Sequence, residues 1–209
     1  MSVVLRLIVG FSAGAVCSPA AVLLLRWTAT TVLTWRRAVT VVVLSGGVGA
    51  GVALWERPLV SAGVAFLLLG VPIAVVDAIE HRIPDRLSLP LAALTVTALV
   101  VGTPGEWGRI VAGGGLCFGL LLLSYVLSGQ PGPGDVKLAV SVGAVLGRLG
   151  WSWLLGGLVA TYLLTALAGL VGVAAGRYRV RDGQVPMGPA MVAVVVAAGA
   201  LASPCINAS

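Results

Sequence analysis

Long, nearly uncharged apolar stretches alternate in this chain with short clusters of Arg, Asp, Pro and Gly. A helix needs roughly 20 apolar residues to cross a bilayer, fewer where it is bundled or tilted. The stretches at about 3–25, 38–54, 59–77, 87–102, 109–127, 136–148, 151–175 and 187–204 meet or approach that length. The pattern predicts an all-α polytopic transmembrane helix bundle of about eight helices (six to eight spans). The sixth stretch is short enough to be a partial or re-entrant segment. An early Arg6 before an apolar run resembles a signal peptide, but Ser18-Pro19-Ala20 is a poor cleavage site and further spans follow, so the first helix is expected to be retained.

Composition agrees. The 209 residues are 59% hydrophobic and 10% charged, against about 25% charged in a soluble domain. The hydrophilic stretches are too short to fold alone, so no soluble domain is expected. The net charge of +6 is spread singly or in threes between apolar runs. That is a topology signal rather than a phosphate-binding patch, and it excludes nucleic acid as the expected partner in favour of the lipid bilayer. Cys17, Cys117 and Cys205 fit no zinc or disulfide spacing and are expected to act as small apolar side chains. Glycine is abundant, as in Gly113-Gly114-Gly115 and Gly156-Gly157, and is read as close helix–helix packing.

With the N-terminus outside, the loops 26–37, 78–86, 128–137 and 177–186 face the cytoplasm. They hold nine of the 13 basic residues: Arg26, Arg36, Arg37, Arg82, Arg86, Lys137, Arg177, Arg179 and Arg181. The positive-inside rule favours this orientation. It places Asp77 and Asp135 on one face.

Those two aspartates are the candidate chemistry. Ionisable groups at membrane depth are costly and mark functional sites. Two carboxylates sharing a proton can hydrolyse a peptide bond: one takes a proton from water while the other donates one. Asp77 is expected to end the third helix and Asp135 to begin the sixth. A helix dipole favours an anion at an N-terminus, so Asp135 is expected as the base and Asp77 as the proton donor. Gly132 and Gly134 leave room for a substrate backbone, and Asp135 also suits an N-cap for a helix starting at Val136. With His81 the chain's single histidine, neither a His-based triad nor a multi-histidine metal site is available. No metal or organic cofactor is expected.

The order Asp77-x5-Ile83-Pro84-Asp85-x-Leu87-Ser88, then Gly132-x-Gly134-Asp135-Val136-Lys137-Leu138, then Gly143-Ala144-x-x-Gly147, resembles type IV prepilin peptidases, the GxGD intramembrane aspartic proteases. A third element, Val185-Pro186-Met187-Gly188-Pro189-Ala190, is similar to that family's P-x-G-P segment. The resemblance runs from about 59 to 204. It implies that Asp77 and Asp135 are catalytic and that basic leader peptides of prepilins or pseudopilins are cut after a glycine. It also implies a bacterial inner (cytoplasmic) membrane location, multi-pass, with the active site facing the cytoplasm. Residues 1–58 then form N-terminal transmembrane helices with a short cytoplasmic loop, and 59–204 a prepilin-peptidase-like catalytic domain, in one integral-membrane unit.

Pro84, Asp85, Lys137, Pro186, Gly188 and Pro189 are expected to shape the loops or bind substrate. Asp85, which follows Pro84, competes with Asp77 for the first aspartate position of the family pattern; its blander role is capping a helix near Leu87, and that of Lys137 is contact with lipid phosphate. Glu80 and His81 are expected to be solvated loop groups. Bifunctional relatives carry paired CxxC motifs in a domain after the first helix; the loop 26–37 has no Cys, so N-methyltransferase activity is not expected. Two rival readings remain. One is a small proton- or cation-coupled transporter, whose sites normally lie near the midplane of repeated halves. The other is a non-catalytic secretion or pilus assembly protein.

Overall fold

The computed structural model describes residues 2–28, 34–176 and 185–203. Arg177, Arg179, Arg181 and Cys205 fall outside the described residues. The architecture is an all-α polytopic bundle, and no strand occurs among the described residues. Its helices are α1 (Val3–Thr28), α2 (Trp35–Val52), α3 (Arg57–Glu80), α4 (Asp85–Gly102), α5 (Trp107–Ser128), α6 (Pro133–Leu149), α7 (Trp151–Ala174) and α8 (Gly188–Leu201). Five of them, α1, α3, α4, α5 (with the short turn before it) and α7, are long and apolar enough to cross a membrane.

The apolar pattern finds every helix but misplaces some ends. α3 runs three residues past Asp77, and α6 begins at Pro133 rather than Val136. α6 is a continuous helix of 17 residues. It is the best-covered helix in the molecule, enclosed by α4, α5, α7 and α8. This explains its weak hydropathy signal, since a helix surrounded by protein need not be uniformly lipophilic. The outer helices carry the opposite signature: Leu155, Val159, Leu163, Leu167 and Leu170 of α7 are largely exposed, as a lipid-facing surface requires.

Two helix pairs close on glycine faces. Gly10 and Gly14 of α1 press on the backbone of Ser45, Gly46 and Gly49 of α2, and Gly113 of α5 presses on Gly143 and Gly147 of α6. A methyl group at any of these contacts would run into a backbone atom, so small residues let the helices approach where apolar burial gives little driving force. Of the glycines singled out in the sequence, Gly113 and Gly114 lie against the α6 backbone and Gly157 against the Leu146 side chain, whereas Gly115 and Gly156 meet open space. Cys117 is buried and Cys17 partly so; both are free thiols.

α3 contains a π turn at Phe66–Gly70. Pro72 follows it, and a proline inside a helix has no N–H to give and crowds the carbonyl four residues earlier. The wider turn absorbs that conflict. Trp27, Trp35, Trp107 and Trp151 lie exposed at helix ends, the belt expected at a membrane–water boundary, whereas Trp55, in the turn between α2 and α3, is buried in the core.

Candidate active site

Asp77 lies in the last turn of α3 and is 4% exposed. The helix stops at His81, whose left-handed conformation (φ 51°) lets its N–H close on the Asp77 carbonyl at 2.9 Å. Pro84 then holds the chain extended before α4. The Asp77 carboxylate Oδ2 accepts the backbone N–H of Gly188 at 2.8 Å. Gly188 is the first residue of α8, and its missing side chain is required there: a Cβ would sit about 2.9 Å from that same oxygen.

Asp135 is buried and occupies the third position of α6, not the cap. Gly132 is the N-cap and Pro133 the first helical residue. The Asp135 Oδ2 reaches back to accept the Gly132 N–H at 3.1 Å, the carboxylate half of a capping box. A glycine has no side chain to return the second half. The other oxygen, Oδ1, is buried with no hydrogen-bond partner, an arrangement that calls for an explanation.

Both carboxylates face one cavity of about 650 Å³, and they are close enough to act on each other electrostatically. α3 and α6 make little direct contact. They are joined by intermediaries, since α4 and α8 each pack on both. On the α8 side the link is the Gly188–Asp77 hydrogen bond. On the α4 side, Gly134 packs on Ile83, and Lys137 Nζ meets Asp85 Oδ1 at 2.6 Å. Because each carboxylate accepts an N–H at a helix N-terminus, helix ends no longer divide the pair into donor and base.

Several sequence expectations are corrected here. Asp85 is the first residue of α4 and makes no side-chain cap; the N-cap is Pro84. Its carboxylate instead holds Lys137, whose ammonium is therefore engaged with protein. Glu80 is not a solvated loop group. It ends α3, its side chain is 6% exposed, and it pairs with Arg82 at 2.7 Å. Arg82 also donates to the Thr28 carbonyl at 3.3 Å, and Arg86 lies 5.2 Å from the centre of the Trp27 ring. The α3–α4 connection thus ties the end of α1 to the site. His81 is exposed and lines the cavity, as does Pro186, whereas Pro189 faces a separate groove between α2, α3 and α8. Among the described residues no group of three His, Cys, Asp or Glu side chains is placed to hold a metal ion.

The cavity also brings in Ser124, Tyr125, Ser128, Gln130, Tyr162 and Thr165, which the motifs had not flagged. The available signal was polarity: hydroxyls at positions of α5 and α7 that are otherwise leucine-rich.

Taken together, the fold and the cavity define a polytopic membrane protein with two buried carboxylates facing one cavity. The type IV leader peptidase family model matches residues 64–174, just over half of the chain, and the chain belongs to that family. The resemblance read from the motifs is thereby borne out. No curated protein and no solved structure matches the chain. The matched segment includes Asp77 and Asp135 and stops short of Pro186, Gly188 and Pro189.

Proposed function

We propose that this leader peptidase is an aspartic endopeptidase with Asp77 and Asp135 as its catalytic pair. The observation that carries the reading is their shared cavity, with one Asp135 oxygen buried and unpartnered. In the reaction, the ionised carboxylate removes a proton from water as the oxygen attacks the scissile carbonyl. The protonated partner donates to the carbonyl oxygen. Collapse of the tetrahedral intermediate breaks the C–N bond, and a proton passes to the leaving amine. The products are a leader ending in a carboxylate and a protein with a new N-terminal amine. The Gly132 and Gly188 N–H groups hold one oxygen of each carboxylate and leave the others for water and substrate.

The substrates are prepilins or pseudopilins with basic leaders, cut after a glycine at the leader's end. The enzyme sits in the bacterial inner membrane with this end of the bundle facing the cytoplasm, in line with the positive-inside count. The reaction as written uses water and two carboxylates and draws on no cofactor, and no N-methyltransferase step is assigned.

The test is co-expression with a candidate prepilin, following leader removal on a gel. Wild type and Asp85→Asn are expected to cleave, while Asp77→Asn and Asp135→Asn are not. Cleavage by both of the latter would overturn the mechanism. An intact prepilin with wild type across several pilin classes would favour the transporter reading.

A further inference from the structure

This inference rests on the peptidase reading and concerns where the substrate enters. Three hollows lined by described residues bear on the question. One of about 310 Å³ between α2, α3 and α8 is almost wholly aliphatic apart from Arg37 and Thr40. Another of about 560 Å³ between α7 and α8 lies towards the opposite end of the bundle. Neither is lined by an aspartate. The third, the aspartate cavity, opens between α5 and α7, two helices that hardly touch each other.

Its lining along α7 runs from Tyr162 to Leu170, about 12 Å at the helical rise of 1.5 Å per residue. An extended peptide advances about 3.3 Å per residue, so this wall matches roughly four unwound residues. A scissile peptide must be unwound to be attacked, because a helix encloses its own backbone. At membrane depth, unwound backbone needs hydrogen-bond partners.

The wall supplies them selectively. Ser124 donates to the Gln130 carbonyl at 2.8 Å, Ser128 to the Ser124 carbonyl at 2.7 Å, and Thr165 to the Thr161 carbonyl at 2.8 Å. Their single protons are committed. The phenols of Tyr125 and Tyr162 have no hydrogen bond within the described residues, and both rings are more than a third exposed. Tyr162 is also misplaced for a boundary aromatic. It sits at the middle of α7, whereas the tryptophans and Tyr125 lie near helix ends.

We propose that the cleft between α5 and α7 is the lateral entrance for a membrane-anchored prepilin. The residues around the scissile bond lie unwound along α7, and Tyr162 and Tyr125 hydrogen-bond their backbone. The two tyrosines are positioning residues. The substrate's apolar helix remains outside, against the leucines of α7 and α5.

The test places a photo-crosslinkable amino acid at Tyr162, Leu170, Leu44 (in the α2–α3–α8 groove) or Ala197 (in the α7–α8 groove) in an Asp77→Asn background, with a candidate prepilin in the membrane. Prepilin adducts at 162 and 170 exceeding those at 44 and 197 are expected. Adducts concentrated at 44 or 197, or none at 162 and 170, would overturn the proposal. Leader removal by wild type is assayed in parallel. Cleavage without adducts at 162 and 170 rejects the entrance alone, whereas no cleavage rejects the peptidase reading and this inference with it. In kinetics, Tyr162→Phe is expected to lower kcat/KM about threefold to tenfold, the loss of one hydrogen bond. A change in thermal stability with unchanged kcat/KM would mean that the phenol only packs.

Discussion

The two ends of the bundle treat their acids differently. At the end away from the aspartates, Glu106 faces Arg148 at 3.3 Å and Arg109 at 3.8 Å, and Arg148 also donates to Thr103 Oγ1 at 3.3 Å. That carboxylate is matched by cations, and the residues around it close the turn between α4 and α5 onto the end of α6. At the other end the nearby ion pairs, Lys137–Asp85 and Arg82–Glu80, lie beside the dyad and bypass it. Asp77 and Asp135 receive backbone N–H groups instead. An arginine paired to either would stabilise the anion and occupy the oxygen that chemistry needs. The contrast separates an acid that holds helices together from acids kept available.

The sharpest way to break this comparison is to neutralise the dyad. Asp77→Asn and Asp135→Asn should each lower leader cleavage by about 10²–10⁴-fold, the range of general acid–base catalysis, with the melting temperature in detergent little changed. A gel assay and a thermal scan on the same preparations decide it. Retained cleavage in both would remove the distinction between the two ends.

Next is Gly188→Ala. The added methyl presses on the Asp77 carboxylate and displaces it; a misplacement near 1 Å costs about 10²-fold, and overpacking costs about 1–3 kcal/mol of stability. Single-turnover cleavage beside a melting curve checks the two effects separately. A variant as active as wild type would show that Asp77 tolerates movement.

Smaller effects are expected at Lys137→Met and Asp85→Asn. The pair is partly exposed, and such pairs contribute about 0–1 kcal/mol, so cleavage should fall by no more than about fivefold. The charge-swapped double variant should recover part of the loss, and salt should mimic it. If Asp85→Asn abolished cleavage, Asp85 would belong with the dyad.

Glu106→Gln should affect catalysis least. It loosens Arg148 and Arg109 and costs about 1 kcal/mol of stability, while cleavage per folded molecule stays at the wild-type level. A catalytic defect there would show that the two ends are coupled through α6.

Much of this architecture was legible from residue order. Apolar run lengths located all eight helices, because a bilayer imposes a minimum length on any span. The ordered motifs picked out Asp77 and Asp135, because acids are rare in such a chain. What one-dimensional reading missed was local geometry. Asp135 looked like a cap because its neighbours are turn formers, yet Gly132 takes that position and leaves the carboxylate one turn inside. Lys137 read as a lipid contact because its partner, Asp85, is 52 residues away. Tyr162 carried no motif at all.

The sequence by itself determined that this chain is a membrane helix bundle and that two aspartates stand out within it. Hydropathy and rarity are properties of single positions and short windows, so no fold is needed to read them. Only the tertiary structure decided what surrounds those aspartates. α8 sets its first N–H against Asp77, α4 braces the start of α6, and α5 and α7 part beside the dyad. Each depends on helices far apart in the chain meeting at distances of a few ångströms, and helix packing, not residue order, fixes those distances.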